Sequence, residues 1–345
     1  MPKYEEKELA GPVKLCDEDG ELNPEAVGWS RRPFHICNLS GHYPRKKKWN
    51  FWIVLNKDIA FSLTVANIDY TGLGNVNLLD FRTKEVISDN VVLVPKGAGL
   101  DMPERADEDV KLVKKNMKIG FLQEKNGVRL RVECPKGQNG PLKADIFLEK
   151  PPEHETLNVV IPWDRKDNFH FTSKQNTLAA TGTVLHGGRE YVFQPEDSFG
   201  VLDFGRGMWP KNFVWNWASF NHRQDGDLIG INMGGKWTDN TGYNENGVCL
   251  NGKLYKIHED LVFDYDTSNF MKPWHIKTDV SEDLDLELTP VYDRTGGADS
   301  VETGGNAQSG THVCFGFFNG KVPAGDRPVN IRNAWGWAEQ VVGNW

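Results

Sequence analysis

Apolar and polar residues alternate with a period of two along much of this chain, the pattern of strands that bury one face. Val128-Arg129-Leu130-Arg131-Val132-Glu133 sets three apolar side chains against three charged ones, and residues 284–291 alternate in the same way. Residues 157–161 and 189–193 are shorter runs of strand length. Val248-Cys249-Leu250 and residues 253–257 flank Asn251-Gly252, a pair that readily takes the positive φ values of a type I′ hairpin turn. Asn319-Gly320, after residues 313–318, reads as a second hairpin, and Gly72-Leu73-Gly74 as a turn. Helical patterning is scarce. Residues 107–117 are charged and roughly amphipathic, fitting a helix or an exposed loop, and residues 24–27 fit a single turn. The pattern predicts an all-β protein of antiparallel strands with few short helices.

A chain of 345 residues has room for two modest lobes. A boundary is expected between about residues 165 and 195 and is set at 172/173, giving β-barrel or sandwich lobes over 1–172 and 173–345 packed together. Residues 194–213 then lie near the lobe junction, a preferred place for a ligand.

Composition removes several function classes. Hydrophobic residues make up 39% and charged residues 26%, enough for packed cores. A formal net charge of −8 argues against nucleic acid or an anionic membrane surface as partner. The one basic run, Arg45-Lys46-Lys47-Lys48, reads as a solvated turn leading into a strand. No apolar run approaches the roughly 20 residues of an integral membrane segment, and the first residues lack a secretory apolar region. The five cysteines are scattered, which suits reduced thiols and a cytoplasmic location. His35, Cys37 and His42 stand close by chance on this reading, and neither a metal nor a cofactor is expected. Gly-x-Ser-x-Gly, P-loop and His-Glu-x-x-His motifs are absent. Oligomeric state is not legible.

The densest chemistry lies in residues 203–220. Asp203 and Arg206 stand among glycines, followed by Trp209, Trp215, Asn216 and Trp217. An apolar, aromatic pocket would raise the pKa of Asp203 and suit it to general acid work, whereas an ion pair with Arg206 would do the opposite. The Arg206 fork fits a carboxylate, a phosphate or a sugar hydroxyl, or else Asp203 itself. Trp215 and Trp217, two apart on a strand, share a face, and Asn216 takes the other. Asn244-Glu245-Asn246 offers a second carboxylate and two amides, or simply an Asx-rich turn. His42 is a candidate ligand contact or acid/base partner.

Gly28-Trp29-Ser30-Arg31-Arg32-Pro33, Asn38-Leu39-Ser40-Gly41-His42, Lys48-Trp49-Asn50, Leu202-Asp203-Phe204-Gly205-Arg206-Gly207, Trp215-Asn216-Trp217-Ala218-Ser219 and Asn244-Glu245-Asn246 together resemble an uncharacterised bacterial family, domain of unknown function 2804. More distantly, the chain is similar to AttH-like proteins, carotenoid 1,2-hydratases and tocopherol cyclase-like proteins. That resemblance implies two lipocalin-like lobes and a motif Trp-x-Asp-x-Glu-Trp, then Gly-Trp-Asp-Trp-Phe, then a loop with Asp-Gly. Asp203 stands at the motif's Asp, which the similarity makes a proton donor. Trp215 and Trp217 match its tryptophan pair, and Asp225-Gly226 its loop. Gly205 replaces the motif's Glu, and Asn216 replaces the Asp between the tryptophans.

The expected function is an enzyme of hydratase, cyclase or isomerase type, acting by acid chemistry on a lipophilic or partly hydroxylated small molecule. Asp203, Glu245 and His42 are the catalytic candidates. Arg206, Trp209, Trp215, Asn216, Trp217, Asn244 and Asn246 are the binding candidates. Paired carboxylates with tryptophan platforms also suit a glycosidase. A non-catalytic lipocalin-like carrier is the third reading.

Overall fold

The computed structural model describes residues 5–95, 99–137, 140–296, 310–325 and 327–345. Within them the chain is all-β, with no α-helix and a single 3-10 turn, Pro24–Ala26, where one turn was expected. The Asn23 side chain caps that turn by accepting from the Glu25 amide at 3.1 Å. Residues 107–117 are not helical. Val110–Lys114 and Met117–Glu124 pair as an antiparallel hairpin, because Val110 and Leu112 enter the core while Lys111 and Val113 stay outside. A period of two overrides the loose helical pattern there.

Two antiparallel sheets, each curled over its own core, form two lipocalin-like lobes packed together. The first sheet runs in the order Glu85–Leu93, Gly72–Asp80, Ile59–Asn67, Lys46–Leu55, Phe199–Met208, Phe169–His186, Leu142–Glu149, Gly127–Cys134, Met117–Glu124, Val110–Lys114. The second runs Lys253–Lys256, Gly247–Leu250, Asp227–Gly235, Asn212–Gln224, Arg327–Asn344, Gly310–Ala324, Asp285–Gly296, Trp274–Thr278, Leu261–Asp264. The expected boundary at 172/173 lies inside the strand Phe169–His186, and the chain passes from one sheet to the other at residues 209–211. Ile53, Leu55, Leu79 and Val201 of the first sheet meet Trp217, Val313, Phe315 and Trp337 of the second in a shared apolar layer.

Asn251 and Gly252, with φ of 51° and 79°, make the expected tight hairpin. Asn319-Gly320 does not. It sits inside the strand Gly310–Ala324, at a register shift, and a Cβ on Gly320 would overlap the backbone of Asp285 on the next strand. The glycine there serves close approach of two strands, not reversal of the chain. Gly72-Leu73-Gly74 likewise opens a strand, with Gly74 lying under Leu112, Met117 and Val91.

Candidate functional site

Alternation on two long strands decides what reaches the seam between the sheets. In Phe199–Met208, Leu202, Phe204 and Met208 enter the first core, which leaves Asp203, Gly205 and Gly207 on the opposite face. In Phe169–His186, Phe169 and Phe171 enter that core, while His170, Thr172 and Lys174 face away from it. Register then lines these residues up across the sheet. Lys174, Asp203, Phe51, Thr64, Asn75 and Asn90 are successive partners on neighbouring strands, and all six line one cavity of about 280 Å³. The adjacent row is Thr172, Gly205, Trp49, Ala66 and Leu73. From the other side, the second sheet contributes the row Arg294, Val313, Glu339, Trp217 and Gly234.

Three glycines make the room. A Cβ on Gly205 would overlap the Trp49 indole, one on Gly207 would press on His170, and one on Gly234 would overlap the Glu245 carboxylate. The motif position occupied by Gly205 is thus filled from the neighbouring strand by Trp49. Gly205→Ala should therefore push the indole out of the cavity wall. A thermal melt should show roughly 1–3 kcal/mol of destabilisation from overpacking; an unchanged melting temperature would mean that the ring has free space elsewhere.

The ionisable centre is Lys174, 5% exposed. Its ammonium lies 2.9 Å from Asp203 Oδ1 and 3.2 Å from Glu245 Oε2, and 4.3 Å from the Trp217 ring centroid. Asp203 is held further by Trp49 Nε1 at 3.2 Å and Thr172 Oγ1 at 3.3 Å, so both its oxygens are occupied as acceptors. Glu245 Oε1 accepts from Trp237 Nε1 at 3.2 Å. Burial pulls the Lys174 pKa down, but its two carboxylate partners outweigh this and hold it raised. Burial pushes the Glu245 carboxyl up to about 7, against the pull of Lys174.

His170 adjoins this group. Trp209 Nε1 donates to its Nδ1 at 3.0 Å, and the ring stacks on Trp49 at 4.7 Å. An indole N–H only donates, so Nδ1 carries no proton. Burial drives the His170 pKa far down, so the neutral ring carries its proton on Nε2, as a fixed donor on the cavity wall. Six tryptophans, Trp49, Trp209, Trp215, Trp217, Trp237 and Trp345, supply most of the apolar lining. Trp209 stacks on Trp237 at 5.5 Å.

Of the residues singled out from sequence, the structure brings Asp203, Glu245, Trp209, Trp215 and Trp217 to this cavity. The others lie elsewhere. Arg206, three residues after Asp203, points to the opposite face, fully buried. It donates to the carbonyls of Pro103, Trp49 and Gly205 and to Asn50 Oδ1, over the Phe204 ring. It therefore does not pair with Asp203, and it lies outside the cavity lining. Asn216 bonds Tyr265 Oη and the Glu339 carbonyl behind the tryptophan wall. Asn244 and Asn246 both donate to the Glu259 carbonyl, and the Asn244 amide donates to Glu6 Oε1. These bonds brace the segment so that Glu245 alone turns inward. His42 sits in the turn before Lys46–Leu55, where its carbonyl accepts from Arg45 N at 2.9 Å, outside the cavity lining.

Lys174 and His170 were not expected from the sequence. Phe169-His170-Phe171-Thr172-Ser173-Lys174 alternates, and its polar side reads as solvent-facing when the second sheet is unknown. Among the described residues no helix is long and apolar enough to cross a membrane.

No curated protein sequence matches the chain. Among solved structures, CghA with Sch210972 aligns at a TM-score of 0.56 and 10% identity, over 87% of this chain and 89% of that one. NE1406 of Nitrosomonas europaea, assigned as an AttH, aligns at 0.51 and 12%, over 89% and 98%. Kievitone hydratase of Nectria haematococca aligns at 0.49 and 11%, over 87% and 90%. Likeness at these identities is one of fold alone. The sequence profile of one family matches residues 6–345, nearly the whole length: the chain belongs to the family described as domain of unknown function 2804.

Proposed function

We propose that the protein is an enzyme of the hydratase, cyclase or isomerase type, which protonates an unsaturated, largely apolar small molecule in the seam cavity with Glu245 as the acid. One observation carries this reading: in an aromatic-lined cavity a buried carboxyl, whose pKa desolvation raises, touches Lys174, which also holds a second carboxylate. A general acid serves best when its pKa lies near the working pH. Asp203, the donor that the motif suggests, is committed to three hydrogen-bond donors and instead anchors Lys174.

In the hydration version, the Glu245 proton passes to one alkene carbon as the π bond breaks and a C–H bond forms. The cation left on the other carbon lies among indole faces, which stabilise it. Lys174 offsets the negative charge appearing on Glu245. Water then forms the C–O bond and returns a proton to Glu245, so atoms and charge balance. Cyclisation or isomerisation differs in what quenches the cation. Such a reaction requires no organic cofactor. Glycoside hydrolysis is less well supported, because Lys174 fills the space between the two carboxylates where a scissile bond would have to sit.

The test is to incubate purified wild type and Glu245→Gln with a metabolite extract and follow its components by mass spectrometry. Wild type should consume a component and release one heavier by a water, or an isomer of unchanged mass. Glu245→Gln should still bind that component but turn it over roughly 10²–10⁴-fold more slowly. Equal turnover by both would remove Glu245 from the mechanism. Binding by both with turnover by neither would leave a carrier.

A further inference from the structure

We infer that the cavity takes an elongated, amphipathic ligand bearing a carboxylate or another oxyanion that offers two oxygens side by side, and that Arg294 is the counter-ion of that group. This rests on the reading of the seam cavity as a ligand site. Two cations line the cavity, Lys174 and Arg294. Lys174 is already balanced by Asp203 and Glu245, whereas Arg294 forms no ion pair among the described residues. A guanidinium is the side chain best shaped to take two oxygens of one anion by two parallel hydrogen bonds.

Arg294 shares its row with Val313, Glu339 and Trp217. Three strand spacings, roughly 14 Å, separate it from Trp217, over whose ring Lys174 lies. Glu339 is two spacings away, and its Oε1 accepts from Trp215 Nε1 at 2.8 Å. Around Arg294 the wall changes character. Arg294 and Asn77 both line the main cavity and the smaller void of about 40 Å³ beside it. Asn77 belongs to a cross-strand patch with Asn75, Asn90 and Ser88, in which Ser88 Oγ donates to Asn77 Oδ1 at 2.8 Å. The cavity thus has an indole-walled end with the proton donor and an amide-lined end with a cation that forms no ion pair among the described residues. A ligand matching both has an unsaturated or ring-bearing apolar part at the first and its acidic group at the second.

A pair of fluorescent probes tests this: 8-anilinonaphthalene-1-sulfonate and its uncharged parent, N-phenyl-1-naphthylamine, each titrated into wild type, Arg294→Gln, Arg294→Lys and the cavity-filling variant Thr64→Trp. Wild type should bind the sulfonate roughly 10-fold or more tightly than the parent. Arg294→Gln should erase that preference without weakening the parent, Arg294→Lys should restore part of it, and Thr64→Trp should block both probes. A preference that survives in Arg294→Gln while Thr64→Trp blocks both overturns the role of Arg294 and leaves the cavity standing as a site. Binding of both probes to Thr64→Trp, or of neither to wild type, overturns the cavity reading and this inference with it.

Discussion

Lys174→Met should be the most damaging single substitution at this site. The ammonium is buried between two carboxylates, and methionine matches its length without its charge. Removing the cation leaves Asp203 and Glu245 facing each other on one side of an aromatic pocket. Losing one partner of a buried ion pair typically costs about 3–5 kcal/mol, because the remaining charge keeps its desolvation penalty and loses its compensation. For a chain of this length that corresponds to a melting temperature lower by roughly 4–7 °C near pH 8. The loss should shrink toward pH 5, where Glu245, its pKa raised by burial, takes up a proton and the repulsion is relieved. Turnover should fall at least about 100-fold, since nothing then offsets the charge left on Glu245. A variant that melts with wild type at pH 8 would show that Lys174 does not hold the two carboxylates together.

The fold was legible because its elements are local. Asn251-Gly252 and the alternation of residues 128–133 each carry a turn or strand signal within a few positions. Failures came where a residue serves a distant strand. Gly320 looks like half of a turn, but its missing side chain accommodates the Asp285 backbone. The site followed the same division. Asp203 and the Trp215–Trp217 pair lie in one compact stretch, and that stretch was visible. Arg206 is their neighbour in sequence only, because three positions along a strand reverse the face. Alternation alone could have sent it into the core beside Phe204.

Lys174 and His170 were out of reach for a different reason. Their strand shows an ordinary amphipathic pattern, and only its pairing with Phe199–Met208, together with a second sheet closing over the polar side, turns that side into a cavity wall. The row joining Lys174 to Asn90 draws on six strands between residues 46 and 208. No local pattern encodes such a row. Glycines at 205, 207 and 234 are the cavity's faint trace in sequence, since each marks a place where a neighbouring side chain leans across.

Glu245→Gln should change how stability depends on pH, and the sign follows from the raised pKa. The carboxyl has an ordinary value of 4.5, and burial raises it to about 7 in the folded protein. Between those values the folded state keeps a proton that the unfolded chain has released, so rising pH favours unfolding. The effect is absent below about pH 4.5, grows through the window, and is complete above about pH 7, where it amounts to roughly 3 kcal/mol against the folded state. Glutamine does not titrate. Its replacement of the contact with Lys174 shifts stability by an amount that stays nearly constant over this range, whereas the slope due to Glu245 disappears. Melting temperatures measured from pH 5 to pH 8 should therefore rise for the variant relative to wild type, by roughly 4 °C across the window. The contribution of His170, whose pKa burial holds far down, is the same in both proteins and cancels in the difference. Parallel pH profiles would mean that Glu245 is ionised throughout, and a carboxylate without a proton at neutral pH cannot start the reaction.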